Sequence, residues 1–193
     1  MATGGSLSSG GAPAVAVFCG SRSGARRLYL QAARETGRLL AARGVTVVYG
    51  GATVGLMGAL ADACLAAGGR VVGVIPRLLV DLELAHSGVT ELHVVETMAE
   101  RKALMAGLAQ GFLALPGAYG TLDEAFEMVT WRQLGLHAGP LVFANVGGYF
   151  DGLKAFLDRA EEDGLLSREN RRLAAFEPGV EGAVERLLEL IAG

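Results

Sequence analysis

Residues 111–124 read GFLALPGAYGTLDE, and the order of chemistry within them decides the fold. The apolar run 112–115 is too short for a helix and stops at Pro116-Gly117. Thr121 then opens an apolar-periodic segment, 122–134, so the stretch predicts a strand, a Gly-rich turn and a helix. A helix start leaves backbone N–H groups unpaired and carries roughly half a positive elementary charge, while glycines let a ligand approach the backbone closely. The pattern therefore predicts a phosphate cradle, with Glu124 one helical turn beyond the anion. A carboxylate there suits another part of the same ligand, such as a ribose or a developing positive charge. Thr121-x-x-Glu124 is also a capping-box pattern, in which two side chains satisfy each other's helix-start N–H groups. Pro116-Gly117 likewise reads as an ordinary turn, and the rest of the chain decides between these readings.

Working outward, residues 14–18 form a continuous apolar strand ended by CGSRSG at 19–24, and a helical stripe follows from Leu28 to Leu40. Residues 45–49 give a second strand, a second Gly-rich turn spans 50–58, and a small-residue helix covers 59–67. Strands are expected at 71–75, 92–95, 141–145 and 173–176, a loop at 76–90, and helices at 149–161 and 180–191. Thr97 and Glu100 form another capping-box signature, which puts Arg101 and Lys102 near a helix N-terminus. Cations there oppose the helix dipole, so an anionic partner is expected. Short apolar strands alternating with helices predict a single-domain α/β fold, a Rossmann-like doubly wound parallel sheet of six or seven strands. Ligands in such sheets bind beyond the strand carboxyl ends, where the loops after Phe18, Tyr49, Val95 and Leu115 all lie.

A chain of 193 residues, 51% hydrophobic, buries one good core. Its net charge of −3 argues against nucleic acid or anionic membrane as a partner, since both select an excess of surface Lys and Arg. No apolar run approaches membrane-spanning length. Residues 1–13 are Gly/Ser-rich without a basic residue, and read as a disordered tail rather than a signal peptide; residues 14–193 form the folded unit. Cys19 and Cys64 sit in apolar segments without disulfide or metal spacing, so a reducing cytoplasm is the expected location.

Several chemistries drop out. The G-x-G-x-x-G fingerprint is absent, because Gly50, Gly51 and Gly55 have the wrong spacing, and no phosphate-loop G-x-x-x-x-G-K-[ST] occurs. Arg22 stands where a nucleophile elbow needs its serine. His86, His93 and His137 are far apart and read as structural or solvated. What remains is a Gly-rich helix start with Thr121, a carboxylate at Glu124, the pair Arg101-Lys102, and two further Gly-rich turns. That set suits a nucleoside monophosphate. Cleaving its N-glycosidic bond develops oxocarbenium charge, which a carboxylate stabilises while a guanidinium holds phosphate or assists the departing base.

The segments PGAYGTLDE at 116–124 and Met98-x-x-Arg101-Lys102 resemble the LOG (LONELY GUY) family of cytokinin riboside 5′-monophosphate phosphoribohydrolases, formerly labelled lysine decarboxylases. The likeness extends to Cys19-Gly20-Ser21, Tyr49-Gly50-Gly51, TWRQLG at 130–135 and Asn145-Val146-x-Gly148-Tyr149. The resemblance implies a Rossmann-like homodimer that, without metal or cofactor, hydrolyses N6-prenyl-AMP, with AMP as a further candidate, to free base and ribose 5-phosphate. It also implies that Arg101 and Glu124 are catalytic and that Gly117, Gly120 and Thr121 cradle the 5′-phosphate. Ser21, Lys102, Gly50 and Gly51 would complete the nucleotide site, with Met98, Ala118 and Tyr119 in the same matched motifs. Independently, no lysine sits in a context that would hold pyridoxal phosphate.

Two positions depart from the family pattern: Ala118 replaces the second glycine of P-G-G-x-G-T, and Ala99 replaces a histidine. A Cβ at 118 would cost roughly 1 kcal/mol if that position needed positive φ. These departures keep open a non-catalytic carrier of nucleotide or molybdenum cofactor with the same fold. The helix 122–134 is apolar nearly all round, which predicts burial by more than its own sheet, hence a homodimer interface.

Overall fold

Seven short runs rich in Val, Ala, Leu and Phe lie in one sheet, and those at its centre are buried on both faces, as parallel strands under helical cover must be. A computed structural model describes residues 12–82 and 84–193. The expected tail therefore lies outside the described residues over 1–11, while the Pro13 carbonyl already accepts a hydrogen bond from Thr46 N–H at 2.8 Å. The elements run β1 (Ala14–Phe18), α1 (Arg27–Ala42), β2 (Thr46–Tyr49), α2 (Gly55–Ala66), β3 (Val71–Pro76), α3 (Arg77–Asp81), β4 (Glu91–Val95) and α4 (Met98–Leu108). They continue through β5 (Gly111–Ala114), α5 (Tyr119–Gln133), β6 (Leu141–Ala144), a 3-10 turn (Val146–Gly148), α6 (Asp151–Glu162), α7 (Arg168–Arg171), β7 (Ala174–Glu177) and α8 (Val180–Ala192).

All pairings are parallel, in the order β4-β3-β2-β1-β5-β6-β7. The chain winds outward from β1 in one direction, then crosses back to β5 and winds the other way. Of the six or seven strands expected, seven form. Leu40, Leu60, Cys64 and Leu187 pack one face of the sheet, from α1, α2 and α8, and Met105, Met128 and Leu157 pack the other, from α4, α5 and α6.

Several expectations need correction, among them the helix expected at 59–67, which runs Gly55–Ala66 because the Gly-rich turn is already helical from Gly55, and the short α7, which was not expected. Residues 77–81, expected as part of a loop, form the short helix α3; five residues give no periodic window to detect. The helix expected to open at Thr121 opens at Tyr119, with Ala118 at its N-cap and no side-chain cap. Thr121 and Glu124 are thus not a capping box, because both lie inside the first two turns of α5, on its buried side. The other signature holds in modified form. Thr97 Oγ1 accepts from Glu100 N–H at 3.1 Å, while the Glu100 carboxylate reaches one residue further back, to Glu96 N–H at 2.9 Å.

Candidate functional site

The loops that leave β1, β2 and β5 meet beyond the carboxyl ends of those strands, at the seam where the winding reverses, and enclose a cavity of about 440 Å³. This is where open α/β sheets hold ligands, and the volume falls in the range of roughly 300–1,000 Å³ usual for small-molecule sites.

Arg101 enters the cavity from the second turn of α4 and is only 7% exposed. Its Nε donates to the Val74 carbonyl at 3.0 Å, and its Nη1 lies 2.8 Å from Glu124 Oε1. Gly50, at the exit of β2, leaves the space this needs: a Cβ there would overlap Arg101 Nη2. Gly117 serves the facing loop in the same way, since a Cβ on it would overlap the Thr121 side chain. Lys102, beside Arg101, points to the flank of α5, where its Nζ sits 2.9 Å from Asp123 Oδ2 and 3.0 Å from Glu127 Oε2. The anionic partners expected for the cations at the start of α4 are therefore three carboxylates of α5.

These groups tune one another. Burial pushes the Glu124 carboxyl above its ordinary range; Arg101 opposes that shift, Asp123 adds to it, and Lys102 opposes it. Burial alone would lower the Lys102 ammonium, but hydrogen bonds to Asp123 and Glu127 outweigh it and raise its pKa. Cys19, also on the cavity wall, has its thiol pushed far up by burial and by Glu124, so it is a neutral thiol.

Across the cavity stands the turn into α5. Its first helix-to-loop hydrogen bond runs from Leu122 N–H to the Ala118 carbonyl at 3.0 Å. The five N–H groups of residues 117–121 find no acceptor among the described residues. A row of free donors at a helix start is the geometry that binds phosphate. Ala118 has φ −116°, outside the left-handed region, so the positive φ that would have penalised its Cβ is not required here.

Of the residues expected at the site, Ser21, Gly50, Arg101, Gly117, Ala118, Gly120, Thr121 and Glu124 line the cavity. Gly51, Met98, Lys102 and Tyr119 do not. Gly51 packs against Ile75, Met98 and Tyr119 are 45% and 93% exposed, and Lys102 is engaged with carboxylates. Ala99 is exposed and off the wall. Residues not expected at the site also line it: Arg22, Tyr29, Met57, Leu79, and Tyr149, which was named only within the matched segment 145–149. The matched segment 145–149 was the available signal for Tyr149, without a role attached to it; Leu79 belongs to the helix the periodicity did not reveal.

The histidines stand elsewhere. His86 Nδ1 accepts from Gly88 N–H, so its proton lies on Nε2, 3.0 Å from Asp62 Oδ1. His93 pairs with Glu91, and His137 packs between Phe112 and Trp131. Among the described residues no three His, Cys, Asp or Glu side chains converge as a metal site would require, and no helix is long and apolar enough to cross a membrane.

Residues 57–187 match the protein family described as "Possible lysine decarboxylase". The chain is 46% identical over 171 residues to the cytokinin riboside 5′-monophosphate phosphoribohydrolase of Rhodococcoides fascians, covering 88% of this chain and 86% of that one. It is 43% identical over 173 residues to the cytokinin riboside 5′-monophosphate phosphoribohydrolase LOG5 of Arabidopsis thaliana, covering 90% and 76%. Among solved structures, the molybdenum cofactor carrier protein of Chlamydomonas reinhardtii superposes with a TM-score of 0.70 at 20% identity, over 94% of this chain and 99% of the other, which is a likeness of fold. Identity above two-fifths across nine-tenths of the sequence, together with the matched family region, means that this chain belongs to the LOG family.

Proposed function

We propose that this chain hydrolyses the N-glycosidic bond of cytokinin riboside 5′-monophosphates such as N6-prenyl-AMP, and of AMP, releasing the base and ribose 5-phosphate. The observation that carries the proposal is one cavity holding both a row of unpaired amides at residues 117–121 and the buried pair Arg101 and Glu124. The 5′-phosphate would take the amides, with Thr121 and Ser21 beside them. The ribose would lie against Glu124. As the bond from C1′ to the base nitrogen breaks, positive charge develops on the sugar; the Glu124 carboxylate stabilises it and orients the water that adds to C1′. One proton of the water stays on the new C1′ hydroxyl and the other goes to the departing base nitrogen, while Arg101 favours the ionised form of Glu124 and offers a donor to the leaving group.

Met57, Leu56 and Leu79 give the cavity an apolar side suited to an uncharged N6 substituent. Ala118 has a negative φ, so the penalty that a required positive φ would have placed on its Cβ, one motive for the carrier alternative, does not arise. Base release from N6-isopentenyl-AMP, followed by chromatography, tests the proposal. Full rates in both Glu124→Gln and Arg101→Ala would exclude these roles.

The same proposal includes a homodimer in a reducing cytoplasm. On α5 only Thr121, Glu124, Ala125 and Met128 are buried by the chain's own fold, while Leu122, Phe126, Val129 and Trp131 stay partly open and Leu134 is 64% exposed. A second copy would cover this face. Both cysteines are free and buried, as a reducing compartment permits. Light scattering that gave a monomer mass at micromolar concentration would remove the dimer.

A further inference from the structure

The turn between β5 and α5 takes its shape from two neighbours. Gly20 N–H, just past β1, donates to the Pro116 carbonyl at 3.0 Å. The Tyr149 hydroxyl donates to the next carbonyl, that of Gly117, at 2.6 Å. In a trans peptide the carbonyl and the following N–H point to opposite sides of one plane. Two consecutive carbonyls held by outside donors therefore fix the planes that carry the Gly117 and Ala118 N–H groups, both of which are unpaired.

Tyr149 is itself held from several directions. It follows the 3-10 turn after β6, where Asn145 Oδ1 accepts from Phe150 N–H at 2.6 Å and Asn145 Nδ2 donates to Asp151 at 2.7 Å. Its ring meets Tyr29 edge-on at 5.2 Å and Phe150 at 5.0 Å. The ring packing thus sets where the hydroxyl sits, and the hydroxyl sets where the turn's donors sit. Tyr149 also lines the cavity and is 40% exposed, so loss of its hydroxyl leaves no sealed polar atom behind.

We propose that Tyr149 is a positioning residue for the phosphate end of the substrate, acting through the Gly117 carbonyl to keep the amides of the 116–118 turn aimed at the anion. The inference rests on the hydrolase reading of this cavity. A donor that orders an anion-binding turn, without touching the reacting bond, lowers the free energy of bound substrate and transition state alike, so its removal raises KM and spares kcat.

Tyr149→Phe keeps the ring contacts and deletes only the hydroxyl. The loss of one hydrogen bond predicts a KM for N6-isopentenyl-AMP raised about fivefold to tenfold, with kcat within about twofold of wild type. Inhibition by ribose 5-phosphate should weaken by the same factor, inhibition by free adenine should not move, and the melting temperature should fall by no more than about 4 °C, the scale of one hydrogen bond in a domain of this size. Unchanged KM and unchanged ribose 5-phosphate inhibition would overturn the inference. So would equal losses for ribose 5-phosphate and adenine with a larger fall in melting temperature, which mark a general structural role. Wild-type protein that releases no base would defeat the hydrolase reading alone, and calorimetric binding of ribose 5-phosphate to wild type and Tyr149→Phe would still decide the role of Tyr149. A wild type that binds no ribose 5-phosphate overturns both.

Discussion

Arg101 Nη1 and Glu124 Oε1 lie 2.8 Å apart, and each side chain exposes only 8% of its surface. With its Nε bonded to the Val74 carbonyl, Arg101 has little freedom to swing away. Glu124→Gln keeps the shape and removes the charge. The expected result is a kcat lower by about 10²–10⁴-fold, the usual scale for a positioned acid-base group. Breaking a buried pair from one side destabilises by roughly 3–5 kcal/mol when nothing replaces the lost charge. The double variant Arg101→Met/Glu124→Gln should therefore melt higher than Arg101→Met alone, a comparison that thermal denaturation makes directly.

Lys102 shapes the same centre from outside the cavity. The groups around Glu124 are Arg101 and Lys102 on α4, Asp123 on α5 and the neutral thiol of Cys19 just past β1. Because burial already raises the Glu124 pKa and Lys102 opposes that shift, Lys102→Met raises it further and leaves Asp123 uncompensated. If the carboxylate is the working form, kcat/KM falls as pH drops through this pKa, and the acid limb of the pH profile should move to higher pH in Lys102→Met. Adding Asp123→Asn should return part of the shift. A limb that stays in place in Lys102→Met would refute the coupling.

Gly50→Ala tests why a glycine stands at the exit of β2. Its new Cβ would overlap Arg101 Nη2, so the guanidinium must move and the pair with Glu124 must open. Activity should fall toward that of Arg101→Ala. Gly107→Ala is the contrasting change in the same helix as Arg101: its Cβ meets nothing within 4 Å, and the variant should gain about 0.5–1 kcal/mol of stability. Steady-state rates and melting curves of the two variants check both halves.

His137 governs part of the acid stability, at the opposite end of the sheet from the cavity. It packs against Phe112 with ring centroids 5.0 Å apart, and burial lowers its pKa below the ordinary 6.5, outweighing the nearby Met128 backbone. The unfolded chain then binds more protons than the folded one between that lowered pKa and 6.5, so stability rises with pH in this window and is lost as pH falls through it. His137→Leu should melt less differently at pH about 5.5 and about 7.5 than the wild type does. An equal spread in both proteins would assign the acid sensitivity elsewhere.

How far these features could be read from sequence differs by kind. The strands at 14–18, 45–49 and 112–115 were legible because central parallel strands are buried on both faces and so read as unbroken apolar runs. The start of α5 was placed two residues late, because Thr121-x-x-Glu124 imitates a cap whose carboxylate in fact serves Arg101. Spacing within one helix does not measure distance to another. The need for anions near Arg101 and Lys102 was therefore visible, but their identity as Glu124, Asp123 and Glu127 was not. Motif membership also says nothing about which side of a turn a residue faces, which is why Met98 and Tyr119 lie off the cavity and Tyr149, far along the chain, lies on it.

The sheet order has a last consequence. Arg101 is carried by the wing β4-β3-β2-β1 and Glu124 by the wing β5-β6-β7, and within the sheet the two wings join at the β1–β5 ladder. Neither half of the polypeptide owns a complete reaction centre, so turnover should vanish in step with global unfolding and no truncated or half-assembled form should retain a trace of it. Catalysis here doubles as an inspection of finished assembly.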